Sequence, residues 1–194
     1  MNNGPAPQDG ANADHGIRVV AVIGAGPAGR SFAMACSAAG YYVVIEDVMP
    51  SNLRRTEVEY ADLSLRGGFG ALEFATTVEG AVREADIAVD FVPDELESKL
   101  EIFSMIDRMA PPKTILCTPS VALSITDLAS CVYRPSRCLA VRGELVKGST
   151  VELLYPPAVD RRVLDSVTDL LHHLGVSAIP ISDPDTSVLT KNMA

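Results

Sequence analysis

The chain has 194 residues, 47% of them hydrophobic and 21% charged, and it carries a net charge of −9 at pH 7 without a cluster of basic residues. This length fits one well-buried domain, and the acidic balance disfavours nucleic acid and anionic membranes as partners. Neither an apolar run long enough to cross a bilayer nor the basic-then-apolar pattern of a signal peptide is present, so the sequence predicts a soluble, cytoplasmic protein without a membrane partner.

Composition divides the chain into three parts. Residues 1–16 are rich in Asn, Gly, Pro, Ala and Asp and show no hydrophobic periodicity, which predicts a disordered N-terminal segment. Residues 17–183 carry regular apolar patterns and form the predicted single domain. Residues 184–194 form a polar C-terminal tail.

The first apolar run, Ile17 to Ile23, predicts a strand that leads through a G-x-G-x-x-G turn into a helix of small residues. In a Rossmann unit this turn receives a dinucleotide pyrophosphate. The first glycine allows the tight turn, the second lets the backbone approach the phosphates, and the third lets the helix lie against the strand. The helix N-terminus adds unpaired N–H groups. The predicted phosphate-binding residues, here named the glycine loop, are Gly24, Ala25, Gly26, Pro27, Ala28 and Gly29.

A second apolar run, Tyr41 to Ile45, ends at two acids about 20 residues beyond the glycine loop. A carboxylate there accepts hydrogen bonds from the adenosine ribose and repels a 2′-phosphate, which favours NAD over NADP. Asp47 is predicted to hold the ribose and Glu46 to be a neighbouring surface group. The alternative is a glycine turn beside a solvated Asp47, with no ligand.

The rest of the chain alternates between predicted helices and strands, which implies a doubly wound, mostly parallel α/β sheet of the Rossmann type. A polar helix capped by Ser51 is followed by a short strand, a short helix and a near-continuous apolar strand that stops at Pro93. Asp94 is predicted to cap the next helix, and Ser124 and Asp160 to begin later ones. The predicted strands after the first two are 72–76, 86–92, 113–117, 137–141, 150–154 and 176–181, and the helices are 51–65, 77–84, 95–109, 124–132 and 160–174.

Cysteine and histidine spacing gives no metal site. The four cysteines lie in apolar contexts without a C-x-x-C pair, which predicts buried free thiols: Cys36, Cys117, Cys131 and Cys138. His172 and His173 are adjacent on a predicted helix, so they point about 100° apart and cannot jointly hold a metal ion.

The order of these motifs resembles the NAD-binding domain of the 3-hydroxyacyl-CoA dehydrogenases from about Arg18 to Asp183. The resemblance is carried by the first strand with the glycine loop, by Ala85-Asp86 leading to Val92-Pro93-Asp94, by Lys99 and Phe103, by Leu123-Ser124-Ile125-Thr126-Asp127-Leu128-Ala129, and by Arg134-Pro135-Ser136-Arg137. It implies NAD as the cofactor. It also implies that the glycine loop and Asp47 contact the cofactor, together with Val92, Pro93, Asp94 and Lys99.

The predicted substrate side departs from the family. Members have a serine in an S-N-T-S loop and a general-base histidine in an H-F-F-N-P motif; this chain has Val121 and Arg142 there, with Pro119 at the Asn. The glutamate that orients the histidine corresponds to Glu152 after a short deletion. Arginine stays protonated and cannot take a proton, and losing a general base typically costs about 10²–10⁴-fold in rate.

Two further pieces of the family plan are expected to be missing. Residues 47–72 leave room for one helix, where relatives insert a helical hairpin over the coenzyme A arm. The relatives' helical C-terminal domain, which forms their dimer, would begin near Thr190. A homo-oligomer or a partner chain that supplies the substrate side is therefore a possible partner.

Two functions remain open. The first is an NAD-dependent oxidoreductase acting on a small molecule such as an acyl thioester or a hydroxy acid. Arg142 would then anchor a carboxylate or polarise a carbonyl, with Glu152 as acid or base. The second is a non-catalytic NAD-binding module or subunit. A third, simpler explanation is a domain cut from a longer chain. Each of these two residues also has a purely structural alternative. Arg142 would be a surface residue paired with Glu144, and Glu152 would be a surface acid at a strand edge.

Overall fold

Strands and helices alternate along the described part of the chain, which is residues 16–65, 67 and 69–183 of a computed structural model. The predicted tail 184–194, and the predicted disordered segment apart from Gly16, lie outside these residues. The elements are β1 Val19–Ile23, α1 Pro27–Ala38, β2 Tyr42–Glu46, α2 Pro50–Ser64, β3 Leu72–Ala75, α3 Val78–Val82, β4 Ile87–Asp90, α4 Leu96–Met109, β5 Ile115–Pro119, α5 Ile125–Ala129, β6 Cys138–Arg142, β7 Thr150–Tyr155, α6 Arg161–His173 and β8 Ser177–Ser182.

The strands form one eight-stranded sheet in the order β3-β2-β1-β4-β5-β6-β7-β8. Strands β1 to β6 are parallel, β7 runs antiparallel to β6, and β8 is parallel to β7. The first six strands follow the Rossmann order 3-2-1-4-5-6, whose direction of winding reverses between β1 and β4. The predicted doubly wound, mostly parallel Rossmann fold is confirmed.

Both faces of the sheet are covered by helices. Along β1, Val20 and Val22 pack in a cluster with α1 and α6, whereas Ala21 and Ile23 pack in a second cluster with α3, α4 and α5. Burial on both faces explains why the parallel strands are continuous apolar runs rather than alternating ones. The same arrangement leaves the carboxyl ends of β1 to β6 uncovered at one edge.

Three local predictions near that edge are wrong. Helix α2 begins at Pro50 with Met49 at its N-cap, so Ser51 is not the cap. Glu95, not Asp94, is the N-cap residue of α4. Glu46 is not a surface group, since only 4% of it is exposed. The predicted caps Ser124 and Asp160 are confirmed, because their side chains accept N–H hydrogen bonds at the starts of α5 and α6.

A buried ion pair joins β4 to α4. The Lys99 ammonium lies 2.7 Å from Asp90 Oδ1, and the two side chains are 1% and 0% exposed. Burial raises the pKa of the Asp90 carboxyl, and the charge of Lys99 opposes this shift. Lys99, expected from the family resemblance to contact NAD, is therefore buried with its charge directed at Asp90.

We expect Lys99→Met to lower the free energy of unfolding by about 3–5 kcal/mol, because it leaves the Asp90 charge buried without a partner. The double variant Lys99→Met with Asp90→Leu should recover most of this loss, since two apolar side chains of similar size need no counter-charge. Urea denaturation followed by far-UV circular dichroism measures both. A single variant as stable as the unchanged protein would contradict a structural role for the pair.

Candidate functional site

The candidate site lies at the carboxyl edge of the sheet, where the winding reverses between β1 and β4. Open α/β sheets bind ligands in the crevice at such a point. The loops after β1, β2 and β4 carry the predicted cofactor residues other than Lys99, which lies in α4, and the predicted substrate residues Arg142 and Glu152 lie at the end of β6 and opposite it in β7. The fold therefore brings both sets to one edge.

Two of the glycines in the glycine loop are required by the backbone. Gly24 has φ of +99°, and a Cβ there would lie 3.2 Å from the carbonyl carbon and oxygen of Phe91. A Cβ at Gly29 would overlap the carbonyl oxygen of Gly24. The helix α1 can approach β1 this closely because position 29 has no side chain.

Gly26 serves a different purpose, because no atom beyond its two chain neighbours lies within 4 Å of the place where its Cβ would be. It is the N-cap residue of α1, no side chain caps that end, and Pro27 occupies the first turn. Pro27 and Ala28 are exposed beside it. Unpaired N–H groups of a helix N-terminus thus face open space, which is the arrangement that receives a pyrophosphate.

Asp47 lies directly after β2 and is bound to the glycine loop. Its Oδ2 accepts hydrogen bonds from the Ala25 N–H at 2.7 Å and from Asn52 Nδ2 at 3.0 Å, and its Oδ1 accepts one from the Met49 N–H at 2.7 Å. These donors fix a half-buried carboxylate beside the loop, at the position predicted for the ribose-binding acid.

Glu46 is the last residue of β2 and is buried, and its side chain lies on the opposite face of the strand from that of Ile45. Burial raises the pKa of the Glu46 carboxyl, and the negative charge of Asp47 raises it further. Two adjacent acids in β2 and its loop therefore have different environments, one buried and one held by three donors.

The loop after β4 completes the predicted cofactor side. Val92 is half-buried, whereas Pro93 and Asp94 are exposed. Asp94 Oδ2 accepts a hydrogen bond from the Val121 N–H at 2.9 Å, which joins this loop to the one after β5. The Asp94 carboxylate therefore joins two loops by a hydrogen bond and does not cap α4.

On the predicted substrate side, Arg142 and Glu152 are cross-strand neighbours of β6 and β7. Arg142 Nη1 lies 3.2 Å from Glu152 Oε2, and the two side chains are 39% and 43% exposed. The expected alternative pairing of Arg142 with Glu144 is wrong. Val121 is 73% exposed at the neighbouring strand end, so its apolar side chain faces solvent at this edge.

The cysteines give no reactive group at this edge. Cys117 is buried in β5, and burial, with the nearby Asp90 charge, raises the pKa of its thiol to about 12. Cys36 and Cys138 are also buried, as predicted, but Cys131 is exposed, which corrects that prediction. A thiol that stays protonated is a poor nucleophile.

Among residues 16–65, 67 and 69–183, no group of three or more His, Cys, Asp or Glu side chains could hold a metal ion. His172 and His173 are both exposed, and His173 Nδ1 is hydrogen-bonded to Tyr41 Oη at 2.9 Å. No helix within the same residues is long and apolar enough to cross a membrane.

Comparison with known proteins identifies the family. The sequence model of the family "3-hydroxyacyl-CoA dehydrogenase, NAD binding domain" matches residues 19–184 of this chain. The chain belongs to this family. Its cofactor is NAD, and the open cradle at Gly26 beside the fixed Asp47 carboxylate fits that dinucleotide. The predicted family resemblance and the predicted cofactor are both confirmed.

Relatives share about a quarter of their residues with this chain. The probable 3-hydroxybutyryl-CoA dehydrogenase of Bacillus subtilis (strain 168) is 26% identical over 182 residues, covering 86% of this chain and 63% of that protein. The lambda-crystallin homolog of Bos taurus is 29% identical over 176 residues, covering 82% and 55%. A 3-hydroxyacyl-CoA dehydrogenase structure from Archaeoglobus fulgidus matches with a TM-score of 0.73 and 27% identity, covering 91% of this chain and 60% of that one. The chain thus spans less than two thirds of the length of each.

Two features of the site were not predicted from the sequence. One is Asn52, whose only sequence signal is an amide five residues after Asp47, within the first turn of a predicted helix. The other is Asp90, an acid at the end of an apolar strand, nine residues before Lys99. An acid in such a strand requires a buried partner, and the next lysine along the chain is Lys99.

We expect Gly29→Ala to lower the free energy of unfolding by at least about 1–3 kcal/mol, because its methyl group would overlap a backbone carbonyl that cannot move aside. Gly26→Ala is the matched control for folding, since open space faces that position, and its thermal midpoint should stay unchanged.

The same Gly26→Ala variant should weaken NADH binding by about tenfold or more, because its methyl group would occupy space needed by the pyrophosphate. Thermal denaturation and calorimetric titration with NADH measure the two effects. NADH affinity unaffected by Gly26→Ala would show that the dinucleotide does not approach the loop there.

Proposed function

We propose that this chain takes part in NAD-dependent hydride transfer with a hydroxy or oxo compound as the substrate. Bound NAD supplies the hydride acceptor or, when reduced, the donor. The observation that supports this reading is the Arg142–Glu152 pair at the same sheet edge as the glycine loop and Asp47. Charged side chains therefore stand at the strand ends where the substrate would meet the dinucleotide.

Arg142 is suited to bind the substrate rather than to move its proton. A guanidinium is always protonated, carries five donors in a planar fork, and binds carboxylates in a two-pronged way. Glu152 engages Nη1, which leaves Nη2 as a donor on a half-exposed side chain. Arg142 can thus hold a substrate carboxylate or polarise the carbonyl that receives the hydride.

Glu152 is the group in this pair that can exchange a proton. A carboxylate can take the hydroxyl proton of the substrate in the oxidising direction and return it in the reducing direction. Its side chain is 43% exposed, and its ion pair with Arg142 holds it at the carboxyl end of β6. We therefore assign Glu152 as the acid or base, acting beside Arg142.

The exposed Val121 points to a substrate different from a simple 3-hydroxyacyl thioester. Members of the family place a serine hydroxyl at this position, by the resemblance described above, and valine offers no hydrogen bond. An arginine opposite an apolar side chain suits a small hydroxy or oxo acid, whose carboxylate would pair with the guanidinium. Because Val121 and Arg142 offer neither the hydroxyl nor the imidazole that the family uses on its substrate, we propose that a second copy or a partner chain contributes to the substrate cleft.

A non-catalytic NAD-binding module is the second candidate. It is favoured by Val121 and Arg142, which replace the serine and histidine that the family uses on its substrate. The two functions differ in one measurable respect. Both bind NADH, but only the oxidoreductase reduces NAD in the presence of a hydroxy substrate.

We expect the purified protein to reduce NAD with at least one member of a panel of small hydroxy acids and 3-hydroxyacyl thioesters. For that substrate, Arg142→Ala should raise KM by about 10–100-fold, because it removes a charge-assisted, two-pronged contact. Absorbance of NADH at 340 nm follows the reaction. Glu144→Gln is the control, since Glu144 is a nearby exposed acid outside the ion pair.

Glu152→Gln should lower kcat more than it changes KM, as expected when a proton acceptor is lost and shape is kept. NADH binding without turnover of any panel member would instead support the module. Equal effects of Arg142→Ala and Glu144→Gln on KM would remove Arg142 from the substrate side.

A further inference from the structure

The hydrogen bonds to Asp47 use the acceptor positions of its two carboxylate oxygens unequally. A carboxylate has about four lone-pair directions, two on each oxygen. On Oδ2 both are used, by the Ala25 N–H at 2.7 Å and by Asn52 Nδ2 at 3.0 Å. On Oδ1 one is used, by the Met49 N–H at 2.7 Å. One direction on Oδ1 remains for a ribose hydroxyl.

Asn52 is the one side chain among these donors, since the other two are backbone N–H groups. Its own backbone is fixed within the first turn of α2: its N–H donates to the Met49 carbonyl at 2.9 Å, and its carbonyl accepts from Thr56 Oγ1 at 2.9 Å. The side chain is half-buried, and its amide nitrogen donates to Asp47 Oδ2 at 3.0 Å. Asn52 is therefore anchored to direct its amide at Asp47.

From this geometry we propose that Asn52 is a positioning residue for NAD: it holds the Asp47 carboxylate so that Oδ1 faces the adenosine ribose. Asp47 in turn rejects a 2′-phosphate, because a fixed carboxylate cannot turn away from that charge. Without the amide, the carboxylate keeps two backbone donors but can rotate about its side-chain bonds. Asn52 thus acts through Asp47 on both the affinity for NAD and the discrimination against NADP. This inference concerns nucleotide binding and does not depend on hydride transfer.

The test is a set of calorimetric titrations with NADH and NADPH on the full chain. Asn52→Ala should raise the Kd for NADH by about 3–10-fold, which is less than the full effect of a hydrogen bond to a charged group because the amide acts only through Asp47. It should lower the ratio of the NADPH Kd to the NADH Kd, since the freed carboxylate can move from the 2′-phosphate. Its thermal midpoint should remain that of the unchanged protein.

A double-mutant cycle separates this role from general support of the helix. In an Asp47→Asn background, which keeps the shape but removes the charge, Asn52→Ala should change the Kd for NADH by less than about twofold. Ser51→Ala is the matched control, because Ser51 lies in the same turn of α2 and makes no bond to Asp47. It should leave both the Kd and the NADPH-to-NADH ratio unchanged.

Three results would overturn the proposal. The first is an unchanged or lower NADH Kd in Asn52→Ala, which would mean that the amide does not hold Asp47 in place for the ribose. The second is an equal loss in the Asp47→Asn and unchanged backgrounds. The third is a loss of NADH affinity with an unaltered NADPH-to-NADH ratio, which would show that Asn52 does not control the Asp47 carboxylate.

Discussion

The close approach of α1 to β1 is the constraint on which the rest of this site depends. The helix can reach its position only because Gly29 has no side chain opposite the Gly24 carbonyl and because Gly24 takes a positive φ against Phe91. That approach directs the N-terminal amides of α1 at the open space above Gly26. It also brings the Ala25 N–H within reach of Asp47, so one hydrogen bond joins the glycine loop to the acid predicted to hold the ribose.

The ion pairs on the two sides of the site differ in how far they are buried. On the nucleotide side, the Lys99–Asp90 pair is fully buried, and a buried pair is costly to break because each ion would remain without water. On the substrate side, the Arg142–Glu152 pair is half-exposed, and such pairs contribute only about 0–1 kcal/mol to stability. The substrate side can therefore exchange its charged groups at little cost in stability, whereas the support beneath the β4 loop cannot.

The elements that the sequence predicts well are those whose pattern reflects burial on a known face. The continuous apolar runs of β1, β2 and β4, alternating with predicted helices, predicted a doubly wound, mostly parallel sheet. The roles of Gly24 and Gly29 were predictable too, because only glycine fits a positive φ or a backbone overlap.

Side-chain partners were less predictable, because they depend on contacts between residues far apart in sequence. Asp94 has the residue type of a helix cap, but the Val121 N–H competes for it from 27 residues away. Glu46 was expected at the surface because acids usually are, yet it is the last residue of a strand covered on both faces. The pairing of Arg142 with Glu152 follows from the antiparallel register of β7, which no local pattern specifies.

This difference explains why family membership settles the cofactor but leaves the substrate open. NAD is recognised mainly by backbone geometry: a turn, a helix N-terminus and one acid at a strand end, all of which the fold itself enforces. The residues that we propose for the substrate are instead side chains, with Val121 after β5 and Arg142 at the end of β6. A change of two side chains can alter that chemistry without moving the sheet, so the substrate must be inferred from Arg142 and Glu152 themselves.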